Sequence, residues 1–204
     1  MQNIKAIIFD FGGVILNIDF GKSNKAFADL GVKDFNEMFS QQNADHLFRH
    51  LEEGKLNELE FYEAFRRSSQ INLPDDQIKK AWNALLISYR REALLTLKRI
   101  RPNYKLYLLS NTNSIHLEAF NKMYEEQVGE GSLEDYFDKI YYSHEIGARK
   151  PDKEPYEYVL KENNLSPAET LFIDDSVQNI KPAEDLGLQT ILLKPGMGIE
   201  DLGL

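Results

Sequence analysis

The chain has 204 residues, 42% hydrophobic and 28% charged, with a formal charge of −9 and no cysteine. That composition belongs to a globular chain of one or two domains, long enough to bury a real core. It excludes disulfides and thiolate metal sites, argues against a nucleic-acid binder, and requires local positive charge at any anion site.

The first predicted strand is "KAIIFDF" at 5–11, an apolar run carrying Asp10 near its end and followed by Gly12 and Gly13. The aspartate and the absence of a basic flank argue against a secretory signal. No run approaches membrane-spanning length. A cytoplasmic chain without membrane partners is the expectation, in keeping with the missing cysteines. From 17 to 90 only helix signals are read, with no second strand. "LNELEF" at 56–61 offers Asn57 as N-cap, Glu60 closing a capping box, and Leu56 with Phe61 as a hydrophobic staple. After Pro74, the residues Ile78, Ala81, Trp82, Leu85 and Leu86 recur at helical spacing. The stretch 17–90 is therefore expected to be a small helical domain inserted into an α/β core made of 1–16 and 91–204.

The rest alternates. "REALLTLKRI" at 91–100 is a predicted helix, with Leu94, Leu97 and Ile100 on one face. "KLYLLSN" at 105–111 is a predicted strand, the acidic run 125–135 a predicted solvated loop, and "DKIYYSH" at 138–144 a further strand. The helix at 154–164 puts Tyr156, Val159 and Leu160 on one face, and "SPAE" at 166–169 reads as a capping box. "TLFIDD" at 170–175 and "QTILLK" at 189–194 are strands flanking a helix near 179–186 that stops at Gly187. Strands alternating with helices imply a parallel sheet covered on both faces.

Open α/β sheets bind ligands at the carboxyl ends of their strands. Asp10, the pair Ser110 and Asn111, and the pair Asp174 and Asp175 each end a predicted strand, and Lys150 follows another in "GARKPD". Gly12 and Gly13 allow the backbone close to an anion. Singly, each residue is an ordinary turn, cap or surface group. Placed together after successive buried strands, they gather a nucleophile candidate, a hydroxyl, a lysine and a carboxylate pair at one edge. The histidines (His46, His50, His116, His144) show no metal-ligand spacing. His144 reads as a surface or capping residue, Arg149 as a surface ion pair, and Trp82 as core.

In order and spacing, "FDFGGVIL", "LLSNTN", "ARKPD" and "FIDDSVQNIKPAEDLG" resemble the four motifs of the haloacid dehalogenase-like hydrolases. The likeness is nearest to the branch holding the phosphatase domain of soluble epoxide hydrolase and the bacterial α-glucose-1-phosphate phosphatases. It implies a Rossmann-like core with a helical cap, and hydrolysis of a small phosphorylated metabolite through an aspartyl-phosphate. Under it Asp10 is the nucleophile, and Ser110, Asn111 and Lys150 hold the phosphoryl group. Mg²⁺ is bound by Asp10, the Gly12 carbonyl, Asp174 and Asp175, the last expected to bind directly with Asp174 behind it. The residues themselves leave that order open.

One departure from the family pattern stands out. Most of its phosphatases carry a second aspartate two residues after the nucleophile as general acid and base. Gly12 occupies that position here. General acid–base help is worth ~10²–10⁴ in rate, so the expected substrate is one whose leaving oxygen departs easily, a sugar 1-phosphate above a sugar 6-phosphate. A 2-haloacid dehalogenase, whose halide needs no proton, and a non-catalytic binding or regulatory module are the alternatives. A phosphomutase, which leans hardest on the missing aspartate, is disfavoured.

Overall fold

A computed structural model describes residues 3–33, 35 and 42–204. Strand β1 (Ala6–Phe9) leads through a tight turn to β2 (Leu16–Ile18). Among the described residues, helices follow at α1 (Phe20–Asp29), α2 (Gln42–Glu52), α3 (Glu58–Ser69) and α4 (Asp75–Asn83). Next come β3 (Leu86–Tyr89), α5 (Arg91–Ile100), β4 (Lys105–Ser110) and α6 (Ser114–Gln127). The chain continues through β5 (Lys139–Tyr142), α7 (Ser143–Ile146), α8 (Glu154–Glu162), β6 (Thr170–Asp174), α9 (Val177–Asp185) and β7 (Gln189–Leu192).

The main sheet is parallel, in the order β5–β4–β1–β6–β7. Its residues alternate between two apolar layers, as the two-residue strand period demands. Ile7, Phe9, Leu106, Leu108, Leu171 and Ile173 face one layer, with α5 and α6. Ala6, Ile8, Tyr107, Leu109 and Phe172 face the other, with α8 and α9. β1 lies in the middle, with chain order running outward on both sides. The sheet therefore has its switch point at the carboxyl end of β1, where a ligand crevice forms. The helix near 179–186 spans Val177–Asp185 and ends before Gly187, whose φ of +87° is the left-handed cap geometry that glycine suits.

Three expectations need correction. The stretch 17–90 is not purely helical: β3 pairs antiparallel with β2, Leu16 opposite Tyr89 and Asn17 opposite Ser88. Leu86 therefore belongs to a strand, and α4 stops at Asn83. Its apolar periodicity continues past the helix because a half-buried strand and a helix face both present leucines to a core. "SPAE" forms only a three-residue 3₁₀ turn, with no Ser166 side-chain cap, because β6 begins at Thr170. Glu169 pairs with Lys5 at 2.7 Å instead. The run 125–135 is not all solvated loop. α6 continues to Gln127, whose side chain accepts from the Tyr89 N–H at 2.9 Å, and Leu133 is buried.

The helices α1–α4 share an apolar cluster of their own, including Phe27, Phe48, Phe61, Phe65, Ile78 and Trp82. The capping box is present on α3: Asn57 Oδ1 accepts from Glu60 N at 3.0 Å, and Glu60 Oε2 accepts from Asn57 N at 2.9 Å. Ile115 of α6 joins the cluster, and the Trp82 ring stacks on His116, 4.9 Å away. Trp82 is core, as expected.

Candidate active site

The site begins at the turn after β1. The Phe11 carbonyl accepts from the N–H groups of Val14, Ile15 and Leu16, and Gly13 N donates to Leu16 O at 2.7 Å. This coil holds Gly12 and Gly13 beside Asp10. Gly13 has φ of +76°, and a β-carbon there would run into the Asp175 carboxylate. Only glycine allows that approach. At Gly12 a β-carbon would meet only the terminal methyl of Ile18, Cδ1, at 2.9 Å, a contact that a rotation of that side chain relieves. Arg90 anchors the coil by donating to Gly13 O at 2.9 Å and to Met197 O at 3.0 Å.

Four of the expected residues come together here. Lys150 Nζ donates to Asp10 Oδ1 at 2.6 Å and to Asp174 Oδ2 at 2.9 Å. Asp10, Asp174 and Asp175 each offer an oxygen within 4.8 Å of the others. Lys150 and Asp174 are fully buried. Asp174 is saturated: its Oδ1 also accepts from Ser176 N at 2.7 Å, and Asn179 Nδ2 donates to both its oxygens. Asp175 is exposed.

The electrostatics follow from this count. Three carboxylates surround one ammonium. Burial pushes the Asp10 carboxyl up to about 7; Lys150 opposes that rise and Asp174 adds to it. Asp175 is also raised, by the partial loss of water around its carboxyl in the crowded site and by the Asp174 charge beside it. Burial would depress the Lys150 ammonium, but Asp10 and Asp174 together hold it above the usual lysine value. An all-oxygen donor set with surplus negative charge fits a hard divalent cation.

Ser110 and Asn111 lie at the end of β4, beside Gly12, on a cavity of about 90 Å³ between the sheet edge and the helices α1–α4. The Asn111 side chain clasps the Lys150 main chain: Nδ2 donates to Lys150 O at 2.7 Å, and Oδ1 accepts from Lys150 N at 2.9 Å. Behind it, Ser143 Oγ accepts from Thr112 N and donates to Thr112 O, both at 2.9 Å. His144 is half-buried, its ring stacked on Tyr142, and it is not among the cavity's lining residues. Arg149 forms an ion pair with Glu52. His46 is exposed and pairs only loosely with the His50 ring, 5.8 Å away.

Sequence reasoning missed Asn179, Ser143, Arg90 and Ile18. Asn179 alone left a signal: it sits five residues after Asp174, about one turn into the helix that follows. The others act across sequence gaps that no local pattern records.

The model of the haloacid dehalogenase-like hydrolases matches residues 4–187, and the chain belongs to that family. It is 36% identical to a D-ribitol-5-phosphate phosphatase of Bacteroides thetaiotaomicron, over 92% of this chain and 90% of that one. A sesquiterpene phosphatase of Aspergillus oryzae is 29% identical, over 90% and 87%. A HAD family enzyme of Bacteroides thetaiotaomicron, solved with magnesium and inorganic phosphate, has a TM-score of 0.88 at 34% identity, covering 98% of this chain and 100% of that one. No helix among the described residues is long and apolar enough to cross a membrane.

Proposed function

We propose that this protein is a Mg²⁺-dependent phosphatase of small phosphorylated metabolites. The observation that carries the proposal is the buried Asp10–Lys150–Asp174 triad with Asp175 beside it. The family and its phosphatase relatives support the same reaction class.

Asp10, Asp175 and the Gly12 carbonyl would hold the cation, with Asp174 behind them because Lys150, Ser176 and Asn179 already occupy both its oxygens. When bound, Mg²⁺ would balance the carboxylates and the phosphate charge. Asp10 attacks phosphorus, the bond to the leaving oxygen breaks, and water hydrolyses the acyl phosphate. Lys150 offsets the charge of both anions during that approach, and Ser110 with the Asn111 main-chain N–H takes a phosphoryl oxygen. The Asn111 side chain serves Lys150 instead.

We place the leaving group in the cavity lined by Gly12, Leu85, Leu86 and Phe120. Residues 17–90 then act as a cap on a core of 1–16 and 91–204, a division supported by the separate apolar cluster of α1–α4, while Ile18, Leu86 and Tyr89 at its two ends pack with the core. Gly12 supplies no acid. His116 on the cavity wall cannot stand in, since burial holds its pKa down to about 3 and keeps the ring neutral. An acidic leaving group therefore gains most, and a sugar 1-phosphate is the favoured substrate. The 36% identical relative named for D-ribitol 5-phosphate supports a second reading, a terminal phosphate on a sugar alcohol.

Phosphate release from a panel holding both types, with Mg²⁺ and with EDTA, decides between them. The expected result is Mg²⁺-dependent turnover, highest with sugar 1-phosphates. Faster turnover of polyol phosphates selects the second reading. Full activity in EDTA removes the metal.

A further inference from the structure

A second cavity, of about 430 Å³, lies apart from the active site, between α5, the end of α6 and the 3₁₀ turn Leu133–Tyr136. Its size falls within the ~300–1,000 Å³ of small-molecule sites. Arg91, Leu94, Leu95 and Lys98 of α5 form one wall. That spacing puts all four on one helix face, with a cation at each end and two leucines between them. Two helical turns separate Arg91 from Lys98, about 10 Å along the axis. Tyr89 and Tyr136 are buried beneath, their hydroxyls engaged with the Phe120 carbonyl at 3.1 Å and the Tyr124 hydroxyl at 3.3 Å.

The polar groups left to this cavity are donors. Arg91 and Lys98 are exposed, and among the described residues no carboxylate lines the cavity or pairs with either. The Lys98 ammonium lies 5.3 Å from the centre of the Tyr136 ring, a contact that leaves N–H groups for an acceptor. The Gln127 side-chain oxygen accepts from the Tyr89 N–H at 2.9 Å, which fixes the orientation of the amide and frees its N–H₂ to donate. In a chain of net charge −9, this is a place of local positive potential that draws an anion.

We propose that this cavity is a second ligand site, for a small elongated molecule with an anionic group at each end and an apolar middle. Arg91 takes one anion, with the Gln127 amide held nearby by Tyr89, and Lys98 takes the other. The leucines and the tyrosine rings cover the apolar middle. A molecule with one anion leaves one cation unused, and a dianion without an apolar middle leaves Leu95, 50% exposed, uncovered. The site borders the catalytic coil, since Arg90, between Tyr89 and Arg91, holds the Gly13 carbonyl. The inference does not depend on the phosphatase reading.

Sulfonates serve as probes, since they carry no phosphoryl group to cleave. Binding of naphthalene-2,6-disulfonate to the full chain is measured by calorimetry in EDTA. Naphthalene-2-sulfonate, with one anion, and ethane-1,2-disulfonate, without the aromatic middle, are the comparisons. The native chain is expected to bind the aryl disulfonate roughly tenfold more tightly than either, about the worth of one hydrogen bond to a charged group. Added salt should weaken that binding. Arg91→Gln and Lys98→Gln should each bring it down to the level of the monosulfonate, with the melting temperature unchanged because both side chains are exposed. Lys22→Gln, at an exposed lysine of α1, should leave it as it is. No binding by the native chain, equal affinity for the mono- and disulfonate, native affinity in both α5 variants, or an equal loss in all three variants would overturn the proposal. None of these outcomes touches the phosphatase reading, because no arm measures turnover.

Discussion

At the scale of single residues, Gly12 and Ile18 form a complementary pair. Gly12 omits the side chain that most phosphatases of this family place there, and Ile18 Cδ1 fills the space. A β-carbon at Gly12 touches only the terminal methyl of Ile18, which can rotate aside, so Gly12→Asp is expected to fold with a melting temperature near that of the native chain. Adding Ile18→Ala removes that contact altogether. Across a series of aryl phosphates, the native rate should depend steeply on phenol acidity, and the double variant should flatten that dependence. A flat dependence in the native protein would mean that another acid already protonates the leaving oxygen. Asp10→Asn removes the nucleophile but keeps a polar group of the same shape against Lys150. Turnover of p-nitrophenyl phosphate should fall to background while the melting temperature stays near that of the native chain. Residual turnover above about 1% of native, a loss of under ~3 kcal/mol, would exclude Asp10 as nucleophile.

At the scale of elements, α4 and α6 meet through a buried histidine. His116 Nδ1 lies 2.7 Å from Asn83 Oδ1, and its ring lies against Trp82. Burial lowers its pKa from 6.5 to about 3. The unfolded chain therefore binds a proton below about 6.5 that the folded chain refuses. The stability that neutral His116 represents is fully present above 6.5 and is lost as pH falls toward 3, at up to about 1.4 kcal/mol per unit. Asp10 acts with the opposite sign in the metal-free protein. Its carboxyl rises to about 7, so acidification from 7 toward 3.8 favours the folded state. The comparison is therefore between native and His116→Gln proteins, both melted in EDTA at pH 7.5 and pH 5. The native chain should lose more stability on acidification, by about 1–2 kcal/mol. Equal losses would show that His116 is not held neutral.

At the scale of the whole molecule, two packed units meet over one sheet edge. The helices α1–α4 attach to the core through Ile115 and His116 on one side, and through Arg49–Asp152 and Glu52–Arg149 on the other. The short sheet of β2 and β3 carries the chain between them. Replacing residues 19–85 by a tight turn would leave β2 and β3 as a hairpin on the core. The shortened chain should melt lower, because Ile115 loses its cover; exposing a buried isoleucine costs about 1.5–3 kcal/mol. It should also hydrolyse small generic phosphates better relative to larger metabolites. A folded truncation with unchanged preference would show that the insertion does not set specificity.

Much of this was written locally. Buried strands ending in Asp10, Ser110 and Asp174 were legible because fully covered parallel strands are continuous apolar runs, and a polar residue at the end of each stands out. The four ordered motifs made the family readable, and the capping box on α3 needs only Asn57 and Glu60, three residues apart. The β2–β3 pairing was not legible, because it joins residues about 70 apart and each strand is only three or four residues long. Lys150 could be placed near Asp10 by strand order. Only the folded chain brings its Nζ between Asp10 and Asp174, 140 and 24 residues away. The same holds for Ile18 against Gly12 and for Glu52 against Arg149. Sequence patterns record what a strand or helix does to its own neighbours. Which side chains then fill a cavity or balance a buried charge depends on crossover connections that bring distant segments to one edge of the sheet.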